Sequence, residues 1–222
     1  MHTSLQKLTL VKNKVNEIIR QKQLKTNPKI IVVTKTFSLN QITPLIESGH
    51  IHFGENKIQE AEEKWSKKKN IFKNIKLHMI GKLQSNKAKK AVQLFDYIHS
   101  LDNKKLAFKI YEFEKEFNKK IKLFIQINVG HENQKSGILI NELENFYNYC
   151  TKELDLNIIG LMCIPPVNSD SSKYFKLLKE NADKLNLKEL SMGMSADYEK
   201  ALLYGASYLR LGTAILGERK II

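Results

Sequence analysis

The chain has 222 residues, a hydrophobic fraction of 42% and a formal net charge of +14. This length suits a single domain, and the hydrophobic fraction is sufficient for a buried core, which excludes a disordered chain. Apolar runs as long as the ~18 residues of a membrane-spanning helix are absent, and we expect no secretory signal. Cys150 and Cys163 lack the spacing of a zinc site or a disulfide framework, so we expect a cytoplasmic protein.

The positive charge comes from 37 basic residues set against 23 acidic ones. The lysines are spread over almost every segment, and the arginines are Arg20, Arg210 and Arg219. Proteins that recognise bases usually rely on arginine, so we expect no specific binding of nucleic acid. A basic field of this kind favours attraction of an anionic small molecule instead.

The predicted elements alternate between helix and strand. Apolar spacing over residues 4–24 indicates an amphipathic helix, and Lys29–Thr36 is a β-branched apolar run typical of a buried parallel strand. We expect Ser38 to be the N-cap of the next helix, which Gly49 closes. Further strands are predicted at 52–54, 77–80, 96–99, 122–129, 158–163, 190–194 and 208–211, and later helices at 103–117, 141–154, 171–185 and 196–204.

Eight strands alternating with helices over this length predict an α/β fold, a single (β/α)8 TIM barrel that occupies residues 1–222 as one domain. The alternative is an open, doubly wound sheet. The barrel is favoured because no GxGxxG motif follows the first strand. Eleven residues follow Leu211, too few for a full closing helix, so we expect the N-terminal helix to cover that side of the barrel.

Active sites of such barrels lie at the C-terminal ends of the strands. Lys35 follows the first strand at the rim of an apolar core, where burial would lower its pKa and make the amine able to form a Schiff base with a carbonyl. The alternative is a lysine that ends a strand and points to solvent.

The loops after strands seven and eight commonly bind phosphate. Ser195 follows strand seven at the start of a predicted helix, where it either caps that helix or binds an anion, and Gly212 and Thr213 form a tight turn or a phosphate cradle after strand eight. Arg210 alternates with leucines in strand eight, so its guanidinium either contacts a ligand or forms a structural ion pair. An amine and an anion site at one rim suit an aldehyde with a phosphate arm, pyridoxal 5′-phosphate. His78, also in a strand, is expected to be a core histidine with satisfied hydrogen bonds.

Short motifs over most of the chain match one family. The chain resembles the pyridoxal phosphate homeostasis proteins through VVTKT (32–36), HFGEN-x-x-QE (52–60), HMIGKLQSNK (78–87), QINVG…KSG (126–137), GLMCIPP (160–166), SMGMSADYEKAL (191–202) and RLGTAILGER (210–219). The usual aromatic residue after FGEN is replaced by Lys57.

The resemblance implies a barrel similar to the N-terminal domain of alanine racemase that binds pyridoxal 5′-phosphate and no metal. It implies a Schiff base to Lys35, a phosphate site, an arginine facing the pyridine nitrogen, and wall residues beside the ring. The residues it assigns to these roles are Lys35, Asn56, Ile80, Met162, Ser195, Arg210, Gly212 and Thr213.

The family carries or buffers the cofactor and has no established turnover, so we expect a non-enzyme that acts as a monomer, with dependent apoenzymes as partners. The alternative is a compact racemase or lyase that acts on amino acids. Racemases of this fold take a tyrosine base from a second domain, and we expect that domain to be absent because eleven residues follow Leu211. None of Tyr97, Tyr198, Tyr204 and Tyr208 is clearly placed to substitute for that tyrosine.

Overall fold

The predicted alternation of strand and helix is present in the computed structural model, which describes residues 3–69, 71–130, 132, 134 and 136–218. Most strands begin and end within two residues of their predicted limits. They are β1 (Lys29–Val33), β2 (His52–Glu55), β3 (Lys76–Met79), β4 (Tyr97–Leu101), β5 (Lys122–Ile127), β6 (Ile158–Cys163), β7 (Glu189–Met194) and β8 (Tyr208–Leu211).

The helices connect these strands on the outside. They are α1 (Thr3–Gln21), α2 (Leu39–Glu47), α3 (Ile58–Trp65), α4 (Ala88–Leu94), α5 (Lys104–Glu116), α6 (Leu143–Asn148), α7 (Ser172–Lys184), α8 (Tyr198–Leu203) and α9 (Thr213–Leu216). The helix predicted over 141–154 is divided, because α6 continues into a π-helical turn at Tyr149–Glu153.

The eight strands form a closed parallel barrel in chain order. Closure is made by β1 and β8, where Ile31 pairs with Arg210 and Val32 with Leu211. The predicted (β/α)8 barrel is therefore confirmed, and the open sheet is wrong. Along each strand, alternate side chains point into the barrel or outward onto the helices. The inward set includes a buried apolar cluster of Ile31, Tyr97, Phe124, Met162 and Tyr208.

Helix α1 covers the side of the barrel next to β8, as the short C-terminal segment led us to expect. It contacts α2, α8 and α9, and buries Leu8, Val11 and Val15 against them. The closing helix α9 has only four residues, so α1 supplies the apolar cover that a longer helix would give. Within the described residues, no helix combines the length and hydropathy needed to cross a membrane.

Candidate ligand-binding site

A cavity of about 650 Å³ lies at the C-terminal ends of the strands. Side chains or backbone that follow β1, β2, β3, β5, β6, β7 and β8 line it, so the barrel brings together segments that are far apart in the sequence. Seven of the eight residues proposed from the sequence line this one cavity: Lys35, Asn56, Ile80, Ser195, Arg210, Gly212 and Thr213.

Lys35 lies two residues beyond the end of β1 and is half-buried. The backbone on either side of it is anchored. The Nζ atom of Lys64 donates to the carbonyl of Thr34 over 2.7 Å, and the N–H of Thr36 donates to Glu60. Thr36 has a left-handed φ of 69°, which a residue other than glycine adopts at a cost. Because both neighbours are held, the backbone of Lys35 has little freedom.

The anchor from α3 is itself a buried ion pair. Lys64 Nζ lies 2.8 Å from Glu55 Oε1, and these side chains are 7% and 0% exposed. The same oxygen accepts hydrogen bonds from Thr34 Oγ1 at 2.7 Å and Trp65 Nε1 at 2.9 Å. Because Glu55 Oε1 accepts from the loop after β1 and from α3, it ties the end of β2 to both, whereas the buried Oε2 accepts no hydrogen bond from the described residues. The sequence analysis missed Glu55, Glu60 and Lys64, because their partners lie on other elements.

Ser195 lies in the turn between β7 and α8, which corrects one expectation. Helix α8 begins at Tyr198 with Asp197 at its N-cap position, so Ser195 does not cap it. Asp197 Oδ1 instead accepts from the N–H of Met194 at 2.7 Å and closes the turn. The hydroxyl of Ser195 accepts from the N–H of Ala214 at 3.2 Å, which ties this turn to α9.

Gly212 and Thr213 form the other half of that cradle. Gly212 is the N-cap of α9, and N–H groups in the first turn of a helix are not used by its own hydrogen bonds. A Cβ atom on Gly212 would approach the protein no closer than 3.6 Å, at Val33. Packing within the protein therefore leaves room for a side chain at Gly212, and this room is part of the cavity that Gly212 lines.

The guanidinium of Arg210 is buried, at 4% exposure, and forms part of the cavity lining. It donates from Nη1 to Ser191 Oγ over 2.7 Å and from Nη2 to the carbonyl of Cys163 over 2.8 Å. Among the described residues its partners are a hydroxyl and a backbone carbonyl, and no salt bridge to Arg210 occurs there. Burial lowers the pKa of Arg210 from its usual value, but a guanidinium keeps its charge in proteins.

The cavity is electropositive. Its described lining contains the cations Lys35, Lys82 and Arg210 and no carboxylate. It also contains the amides Gln126 and Asn128, which the sequence analysis missed although they are polar residues at the carboxyl end of an apolar strand. Gln126 Nε2 donates to the carbonyl of Ser136, so the amide is held toward the loop after β5. Such a lining favours an anionic ligand with hydrogen-bonding groups.

Met162 differs from the other proposed residues. It is fully buried in the apolar cluster inside the barrel and is not among the residues that line the cavity. Ile164, two residues further along the chain, lines the cavity and packs against the same cluster. Met162 therefore supports the floor of the cavity from below. None of the four tyrosines named above is in the described lining.

An eight-stranded parallel barrel with a lysine after β1 and an anion cradle after β7 and β8 is an architecture of the alanine racemase N-terminal type. The family model of the alanine racemase N-terminal domain matches residues 11–220. A relative from Pasteurella multocida, named pyridoxal phosphate homeostasis protein, is 33% identical, with 96% of this chain and 97% of the relative covered. A protein of the same name from Synechocystis is 38% identical, with 86% of this chain and 91% of the relative covered. The chain belongs to the family of pyridoxal phosphate homeostasis proteins.

Solved structures agree with this assignment. PipY of Synechococcus elongatus, with pyridoxal 5′-phosphate bound, is 31% identical and superposes with a TM-score of 0.79, covering 91% of this chain and 100% of PipY. Alanine racemase of Clostridium difficile superposes with a TM-score of 0.70 at 14% identity, over 95% of this chain and 56% of the racemase. The second similarity shows the barrel fold alone.

Proposed function

We propose that this protein binds pyridoxal 5′-phosphate in the cavity and serves as a carrier or buffer of the cofactor. The observation that carries the proposal is the joint placement of Lys35 and the cradle formed by Ser195, Gly212 and Thr213 around one electropositive cavity. The names of the relatives and the bound cofactor in PipY support it. In this proposal the recipients are apoenzymes that depend on the same cofactor.

The residues present fit the group. When bound, pyridoxal 5′-phosphate supplies an aldehyde, a phosphate and an electron-withdrawing ring. In the proposal, the amine of Lys35 holds the aldehyde as a Schiff base, and the Ser195 hydroxyl with backbone N–H groups at Gly212 and Thr213 hold the phosphate. In the proposal, Asn56 and Ile80, which line the cavity, flank the ring, and Met162 supports it from the apolar cluster inside the barrel.

Arg210 faces the pyridine nitrogen in this proposal and favours storage over turnover. Because a guanidinium retains its protons, it donates a hydrogen bond to that nitrogen without protonating it. An unprotonated ring is a weaker electron sink than one paired with a carboxylic acid. The described lining also holds no tyrosine to act as the second base of a racemase. A racemase or lyase is therefore the less supported alternative.

The proposed function is tested by titrating the purified protein with pyridoxal 5′-phosphate and with pyridoxal, and following Schiff-base absorption. We expect saturable binding of the phosphorylated form and at least tenfold weaker binding of pyridoxal, because charge-assisted hydrogen bonds to the phosphate are lost. Absence of an absorption band at saturating cofactor would contradict the proposal.

Turnover is tested separately. The loaded protein is incubated in deuterium oxide with a broad panel of L- and D-amino acids, and exchange at the α-carbon is followed by NMR. The carrier function predicts no exchange beyond that caused by free cofactor at the same concentration. Exchange that requires Lys35 would establish the racemase or lyase alternative instead.

A further inference from the structure

Below the cavity, a continuous file of polar side chains crosses the barrel interior. His52 Nδ1 lies 2.9 Å from His78 Nε2, and His78 Nδ1 lies 2.9 Å from His99 Nε2. The file continues from His99 Nδ1 to Ser191 Oγ at 2.8 Å, and Ser191 accepts from Arg210 at 2.7 Å. These five side chains, from β2, β3, β4, β7 and β8, are called the histidine file. It joins the half-buried His52 near the N-terminal end of the barrel to the guanidinium in the cavity.

This arrangement is unusual for a barrel of this kind, whose interior is normally filled with branched aliphatic residues. His78 and His99 are fully buried, and a buried polar group is costly unless it is hydrogen-bonded. Their rings are held by stacking, His78 on Tyr97 with centroids 4.2 Å apart and His99 on Phe124 at 4.3 Å. The file is therefore both fully connected and sterically fixed.

The imidazoles in the file are neutral at physiological pH. Burial lowers the pKa of His78 and of His99 well below the usual value, and lowers the pKa of His52 to about 4. The lysines near His52 and the guanidinium near His99 act in the same direction. A neutral imidazole has one donor nitrogen and one acceptor nitrogen, so each ring in the file can donate to only one neighbour.

The guanidinium sets the direction of the file. Arg210 can only donate, so Ser191 Oγ accepts from it, and the serine hydroxyl is then free to donate to His99 Nδ1. His99 Nε2–H in turn donates to His78 Nδ1, and His78 Nε2–H donates to His52 Nδ1. The opposite direction would give the serine oxygen two donors and leave its hydroxyl proton without an acceptor among the hydrogen bonds of the described residues.

The file does not conduct protons to the cavity. Its last member, Arg210, keeps its protons, so a proton that moved along the imidazoles would stop at Ser191. What the file can do is hold the serine oxygen, and through it the guanidinium, in one orientation. Nη2 is fixed independently by the carbonyl of Cys163.

We propose that His99 is a positioning residue for Arg210, acting through Ser191, and that His78 and His52 hold His99 in the tautomer that accepts from the serine. The inference deepens the proposed function and rests on it, because there Arg210 faces the pyridine nitrogen. It assigns a role to the histidines inside the barrel that is distinct from packing.

The first experiment uses the protein without cofactor. Side-chain ¹⁵N NMR of protein labelled at histidine distinguishes the two neutral tautomers. The proposal predicts neutral His52, His78 and His99, each protonated at Nε2. Protonation of His99 at Nδ1 would overturn it. Because no cofactor is involved, this result stands even if the proposed function fails.

The second experiment compares variants by their affinity for pyridoxal 5′-phosphate and by the ¹⁵N shift of its pyridine nitrogen. His99→Phe keeps the stacking on Phe124 and removes both hydrogen bonds, whereas in His99→Gln the amide oxygen accepts and the amide nitrogen donates. We expect His99→Phe and Ser191→Ala to weaken binding about tenfold and to shift the pyridine signal, with His99→Gln intermediate.

Tyr97→Phe is the matched control, because it retains the ring stacked on His78 and leaves the file intact. We expect its affinity to stay within about twofold of the wild type. If His99→Phe does not fold, Ser191→Ala makes the same test at the other side of the contact. Wild-type affinity and an unchanged pyridine signal in Ser191→Ala would overturn the proposal. If the wild type itself forms no Schiff base, the proposed function fails. The inference is then tested only by the histidine tautomers measured in the first experiment.

Discussion

Basic side chains lie at both ends of the barrel, but the groups that surround them differ. At the N-terminal end, Lys29 Nζ lies 4.4 Å from the ring centroid of Tyr208 and 3.7 Å from Glu189, and Lys122 lies 5.3 Å from the ring of Tyr97. At the C-terminal end, the cavity carries lysine and arginine, with no carboxylate in its described lining. The described lining of the cavity thus holds cations without a carboxylate, whereas Lys29 at the other end has Glu189 beside it, and this difference favours an anionic ligand in the cavity.

The difference between the two ends of the barrel is tested most strongly by removing one lysine from each end. Lys35→Ala is expected to abolish the Schiff-base absorption, because no other amine is proposed to react with the aldehyde. Lys122→Ala, at the opposite end, is the control and should bind the cofactor as the wild type does. A band of normal intensity in Lys35→Ala would show that the cavity works without its covalent anchor.

The buried ion pair between Lys64 and Glu55 holds the backbone next to Lys35, and its removal is expected to cause a large loss of stability. Lys64→Met leaves Glu55 buried without its cation and should lower the free energy of unfolding by about 3–5 kcal/mol. The matched control is Lys90→Met, which breaks an exposed pair with Glu62 and should cost less than about 1 kcal/mol. Urea unfolding of both variants measures the difference, and equal losses would contradict the role assigned to the buried pair.

The buried histidines predict a dependence of stability on pH. Burial lowers the pKa of His50 to about 4 and those of His78 and His99 well below the usual value. Between these lowered pKa values and the usual value of about 6.5, the unfolded chain binds protons that the native chain does not. Stability is thus fully present above pH ~6.5 and falls as the pH drops, by up to about 1.4 kcal/mol per pH unit for each histidine. Glu114, whose pKa burial raises, acts in the opposite direction.

Urea titrations between pH 7 and pH 5 test this dependence. His50→Phe should show a shallower slope than the wild type, because one of the contributing imidazoles is removed. A free energy of unfolding that stays constant over this range would mean that the imidazoles are protonated in the native state.

Alanine substitutions at Gly212 and Gly81, two glycines that line the cavity, distinguish an effect on ligand binding from an effect on packing. Gly212→Ala should leave the melting temperature nearly unchanged, because its Cβ comes no closer than 3.6 Å to the protein, and should weaken cofactor binding by roughly tenfold. Gly81→Ala is the contrast, since its Cβ would clash with the backbone carbonyl oxygen of Asn56 and force the two segments apart. Thermal unfolding and cofactor titration of both variants measure these effects. A Gly212→Ala variant that lost stability but kept its affinity for the cofactor would contradict this account.

Much of the fold follows from local pattern. Apolar β-branched runs such as Lys29–Val33 and the helices between them define a barrel, since each strand needs cover on its outer face. The predicted lysine and the cradle after β7 and β8 lie at one rim because parallel strands bring their carboxyl ends together. His78 is a hydrogen-bonded core histidine, as its apolar neighbours indicated.

The remaining features depend on contacts between elements. The tie from Lys64 to Glu55 needs α3 to lie against the end of β2, and the contact between His99 and Ser191 joins strands separated by 92 residues. The turn that places Ser195 ahead of α8 depends on the bond from Met194 to Asp197. No periodicity in the sequence specifies these distances, because strand tilt and closure determine them.

The central claim is tested most directly by fixing the bound cofactor and locating it. The protein is saturated with pyridoxal 5′-phosphate, reduced with borohydride and digested, and the modified peptide is identified by mass spectrometry. The account predicts one stoichiometric modification, on Lys35. Modification that is spread over several lysines, or that falls on Lys82 in the same cavity, would contradict it.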